Sequence, residues 1–144
     1  MESWHPLIVH FPLVLLPLSV AVDLLALGCK RPQWQGLAYA LLGLGTAASA
    51  MAVLSGNRAA ELYRKNPQVQ GLVSAHEDWA TLTLLLFLGL ALSRLPLQLR
   101  GHLQSGRFKV WLALAAVGCV LVWITGYSGG ELVYLHGVGI KINP

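Results

Sequence analysis

Four stretches of this chain, about Leu7 to Gly28, Gly36 to Ser55, Trp79 to Leu97 and Phe108 to Gly126, run for roughly twenty residues each with very few charges. About 20 helical residues cross the ~30 Å hydrocarbon core of a bilayer, so each stretch is long enough to span one. Four such spans take up more than half of a 144-residue chain. Charged residues make up 11% of the sequence against about 25% in soluble domains, too few to cover a water-facing surface. The sequence therefore predicts an all-α integral membrane protein, a four-transmembrane-helix bundle forming a single domain over residues 1–144. A short interfacial segment over 130–144 is expected to close it. Disorder, coiled coil and collagen are excluded, and a water-soluble enzyme is not expected.

The first stretch lacks a basic residue ahead of it and has Lys30 and Arg31 behind it, so it is read as a retained helix and not as a cleaved leader. Pro6 suits a first helical turn and makes His5 the expected cap. Pro12 and Pro17 predict kinks. Gly126, Gly129 and Gly130 are expected to end the fourth helix and fold Glu131 to His136 back over the bundle. The net charge of +4 lies mostly between the apolar stretches, which bears on orientation and not on nucleic acid. Lys30, Arg31, Arg94, Arg100, Arg107 and Lys109 fall on one side, and Arg58, Arg64, Lys65 and Lys141 on the other. By the positive-inside rule both termini are extracytoplasmic. Trp4, Trp79 and Trp123 then mark the outer interface, and Trp34 and Trp111 the inner one. Cys29 and Cys119 differ in depth by roughly 15 Å, too far for a disulfide. No internal repeat with matching motifs is apparent.

Four of the five histidines, His5, His10, His76 and His136, fall on the outer side by this topology; only His102 is on the inner side. Imidazole is a common metal ligand, and bundles bind cofactors between facing helices. His5 and His10 differ by about 140° and about 7.5 Å along an ideal helix, so they do not converge on one small ion. Haem iron takes one or two axial ligands, whereas zinc or copper asks for three or four. Glu77 and Asp78 are the acids at hand, and Glu131 is a candidate to orient a histidine ring. Small residues on the second helix, Gly43, Gly45, Ala47, Ala48, Ser49, Ala50 and Ala52, give either close helix approach or room for a porphyrin. Asp23 needs a partner inside the membrane. Arg94 is at similar depth, and Tyr39 is the second candidate.

His5-Pro-Leu-Ile-Val-His-Phe-Pro, Leu54-Ser-Gly, His76, and Gly126-Tyr-Ser-Gly-Gly-Glu-Leu-Val-Tyr-Leu-His-Gly-Val-Gly resemble a bacterial family of small predicted four-helix membrane proteins of unknown function. The resemblance covers nearly the whole chain and implies association with c-type cytochrome and other redox modules. It falls on His5, His10, His76 and His136. Where the family often has an acid after Ser-Gly, this chain has Asn57 and Arg58.

The expected function is that of a small cytochrome b-like electron-transfer protein or subunit of the bacterial inner membrane. It would bind haem b through extracytoplasmic histidines, with His10 and His76 as the first pair and His5 and His136 as the second pair or supporting residues. It would have no substrate site of its own. Expected partners are the lipid bilayer and a c-type cytochrome, quinone or other redox subunit, in a homo- or hetero-oligomer. The alternatives are a non-catalytic anchor or assembly subunit of a larger redox complex, or a copper- or zinc-binding membrane protein. A transporter is disfavoured by the apparent lack of repeats.

Overall fold

The computed structural model describes residues 4–99 and 106–139; Arg100, His102, Lys141 and the end of the expected interfacial segment lie outside them. Four helices carry the fold: α1 (His5–Gly28), α2 (Trp34–Ala60), α3 (Gln70–Leu99) and α4 (Gly106–Tyr134). Each is long and apolar enough to cross a membrane. Their surfaces invert the usual pattern of a water-soluble protein. Ser19, Asp23, Gln35, Thr46, Ser49, Thr83 and Arg94 are buried, while Leu18, Leu44, Leu85, Val117 and Trp123 are exposed. Such a surface is stable only in an apolar solvent.

The helices pack in a ring, α1 on α2, α2 on α3, α3 on α4 and α4 on α1, which sets α1 diagonally across from α3. One end, the mouth, gathers the start of α1 and α3 and the end of α2 and α4. The end of α1 and α3 and the start of α2 and α4 lie at the other end, the base. α1 is interrupted at Val9, where the missing N–H of Pro12 leaves the Ile8 carbonyl without its helical donor. It passes Pro17 unbroken. At the base α1 closes with paired turn bonds, Arg31 N–H to the Ala26 carbonyl at 2.8 Å and Lys30 N–H to Leu27 at 3.3 Å. Lys30 adopts φ 54° there, the left-handed residue of a Schellman closure.

Three expectations change at the mouth. His5 is not a cap: α1 already begins there, and Trp4 takes the cap position without a side-chain bond. α3 starts at Gln70, well ahead of Trp79, because Val73 packs with Ala60 and Leu132 in a second small core, against Tyr63 and Val138. α4 runs straight through Gly126, Gly129 and Gly130 to Tyr134. The first two of those glycines serve close packing: a Cβ on Gly126 would sit 2.7 Å from Leu13 Cδ2, and one on Gly129 3.0 Å from His76 Cε1. The chain reverses later, at Gly137 and Gly139, where φ is 64° and 83°, and the Gly139 amide donates to the Tyr63 hydroxyl at 2.7 Å.

The helix pairs also form an internal repeat, contrary to the expectation of none. His76 follows His5 by 71 residues, as Thr83 follows Pro12, Phe87 follows Leu16, Leu90 follows Ser19 and Arg94 follows Asp23. Apart from the two half-buried histidines, all of these are buried. On the partner helices the offset is 73, relating Gln35 to Phe108, Ala38 to Trp111, Leu42 to Ala115, Gly45 to Gly118 and Ser55 to Ser128. The contacts repeat with the positions. A Cβ on Gly45 would lie 2.7 Å from Leu16 Cδ2, and one on Gly118 2.8 Å from Phe87 Cζ. The α1–α2 and α3–α4 hairpins are thus two copies of one unit, related by a pseudo-two-fold axis along the bundle. At mid-depth Leu16, Leu42, Phe87 and Ala115, all fully buried, close that axis.

Candidate functional site

Two polar sites lie along the axis, one toward each end. Near the base, Arg94 of α3 reaches across to Asp23 of α1, both side chains being at most 1% exposed. Nη1 donates to Oδ2, Nη2 to Oδ1 at 2.7 Å, and Nη2 also to the Gln35 carbonyl at 3.1 Å. The guanidinium lies 4.8 Å from the Trp111 ring centroid, 5.3 Å from Phe108 and 5.9 Å from Tyr39. Two-pronged pairing and an aromatic cage are what a buried arginine needs. Tyr39, the second candidate partner of Asp23, belongs to the cage instead. Trp111 is not an interfacial residue. It is buried, stacks on Phe108 and donates Nε1–H to the Leu90 carbonyl at 3.0 Å.

The mouth holds the histidines, and the structure sorts them. His5, in the first turn of α1, places Nδ1 3.0 Å from Ser55 Oγ on α2. His76, in the second turn of α3, places Nδ1 2.9 Å from Ser128 Oγ on α4. Both rings are half-buried. Each lies over a glycine: His5 Cε1 would be 2.9 Å from a Cβ on Gly56, and His76 Cε1 3.0 Å from one on Gly129. His10 is different. It is exposed, and its Nδ1 donates back to the Pro6 carbonyl at 2.6 Å. His136 lies beyond the end of α4 and is exposed. The structure therefore gives His5 and His76 matching half-buried environments at the mouth, and leaves His10 and His136 exposed.

Asp78 is exposed, Glu77 and Glu131 are half-buried, and among the described residues no three His, Cys, Asp or Glu side chains come together. Cys29 and Cys119 are free thiols. Two imidazoles are half of a zinc tetrahedron but a full axial set for haem iron, whose other four ligands are the porphyrin's own. Sequence reasoning missed Ser55, Gly56, Ser128 and Gly129. The available signal was a Ser-Gly step recurring 73 residues on, at Ser55-Gly56 and Ser128-Gly129, beside histidines 71 apart.

The fold and the site define a small four-helix membrane protein with two inward histidines at one end. Residues 2–142 match the family described as "Predicted membrane protein (DUF2231)", and the chain belongs to that family. No curated protein and no solved structure matches the chain.

Proposed function

We propose that this protein is a small membrane electron carrier that holds haem b at its mouth, with His5 and His76 as the axial ligands. What supports this reading is a matched pair of half-buried imidazoles at one end of the bundle, each bonded to a serine of the neighbouring helix, with no cluster of three metal-ligating side chains among the described residues. When bound, a haem held by His5 and His76 would supply one-electron transfer and not oxygen activation. The chain's own part is to hold the two rings at one depth, to exclude water with the apolar waist beneath them, and to keep His10 and His136 out of the site. By the charge distribution the mouth faces the extracytoplasmic side of a bacterial inner membrane. A c-type cytochrome, the quinone pool or another redox subunit would then exchange electrons there.

The test is a visible spectrum of the protein purified from haem-replete cells. A reduced-minus-oxidised difference with a pyridine haemochrome of b type is expected. His5→Ala and His76→Ala should each abolish it, and His10→Ala and His136→Ala should leave it. A colourless native protein overturns the reading. Co-purification with cytochrome or dehydrogenase subunits would then favour the anchor role, and stoichiometric copper or zinc a bare metal site.

A further inference from the structure

We propose that Ser55-Gly56 and Ser128-Gly129 are two copies of one positioning device, each fixing its histidine in the tautomer that leaves Nε2 bare. The mouth then presents two lone pairs to an electron-pair acceptor, a metal centre. The hydrogens follow from which atoms can donate. Ser55 Oγ lies 3.0 Å from the Ala52 carbonyl oxygen, and Ser128 Oγ lies 3.0 Å from that of Thr125. A carbonyl only accepts, so the hydroxyl hydrogen must fill each gap; otherwise two oxygens would face each other lone pair to lone pair. With its hydrogen committed, each serine meets Nδ1 as an acceptor. Nδ1 therefore carries the proton of the neutral ring, and Nε2 carries none. This is the reverse of the tautomer that histidine favours in water.

Among the described residues neither Nε2 has a hydrogen-bond partner. The glycine supplies the space, since a methyl there would stand about 3 Å from Cε1 and push the ring off its serine. The arrangement occurs twice, at positions matched by the repeat, so its two halves corroborate each other. Bare nitrogens take a metal ion and refuse groups that bring only lone pairs, such as the carbonyls of an oxidised quinone or an anionic headgroup.

The inference rests on the proposed function for what the lone pairs hold, but the tautomer is measured without any metal. The experiment is ¹⁵N NMR of the full chain, labelled at histidine, metal-free and in detergent micelles. Both His5 and His76 should show protonated Nδ1 and bare Nε2, with exposed His136 as the internal control. In Ser55→Ala/Ser128→Ala that pattern should shift toward protonated Nε2 with helicity unchanged, and ferric haem titrated into the protein should bind about tenfold or more weakly. Ser55→Thr/Ser128→Thr, which keeps the hydroxyl, should restore both. Protonated Nε2 at either histidine of the native chain overturns the proposal even if haem binds, as does an alanine variant with the native pattern. The native tautomer in a chain that binds no haem overturns the haem reading alone.

Discussion

Asp23 keeps its charge inside the bundle because Arg94 meets it with two donors and with aromatic faces around the guanidinium. Removing one partner leaves the other charge buried and alone, at a cost of about 3–5 kcal/mol, whereas removing both for apolar groups of similar size is often neutral or better. Asp23→Asn should therefore unfold at markedly lower denaturant concentration than the native chain in the same detergent, and Asp23→Leu/Arg94→Met should recover most of the loss. This pair was legible from the sequence, since both residues lie a few positions from the base end of their spans and neither tolerates lipid alone. The histidine pair was legible only by side. Depth can be counted along a helix, but rotation about its axis is set by neighbours, so the half-buried ring proved to be His5, against Ser55 and Gly56, and the exposed one His10.

At the scale of helices, the packing of α1 on α2 and of α3 on α4 turns on Gly45 and Gly118, which let Leu16 and Phe87 settle against bare backbone. Gly45→Ala and Gly118→Ala force those side chains or the helices to move and should each cost about 1–3 kcal/mol. Gly43, two residues before Gly45 and on another face of α2, is open: a Cβ there would meet nothing within 4 Å. Gly43→Ala should therefore be neutral or slightly stabilising by helix propensity, and thermal unfolding in one detergent compares the three. The existence of the four helices could be read from apolar length, but their ends could not. Lipid thickness dictates only the crossing portion, and the extra turns of α3 and α4 at the mouth depend on the Ala60, Val73 and Leu132 contacts, which no local signal announces. Gly126 to Gly130 misled for a related reason, because a glycine that admits a neighbour looks the same in sequence as one that admits a turn.

As a whole molecule, the protein is one hairpin unit used twice, and the repeat is one of geometry more than of residues. Gly45 and Gly118, the histidines and the Ser-Gly steps persist, while Asp23 faces its counterpart Arg94 and Leu16 its counterpart Phe87, so a search for matching motifs passes over it. Orientation is testable at this scale. In sealed vesicles a membrane-impermeant maleimide should label Cys29, exposed at the base, from the inner side, and a cysteine introduced by His136→Cys in a Cys29→Ser background from the outer side. Labelling of both from one side would refute the four-span topology. Roughly 27 Å of helix separates the histidine level from the Asp23–Arg94 level, with Leu16, Leu42, Phe87 and Ala115 shut across the axis between them. Four side chains packed at that level leave the polar groups at the two ends insulated from each other by hydrocarbon, so whatever the histidine end does, it does from one face of the bilayer.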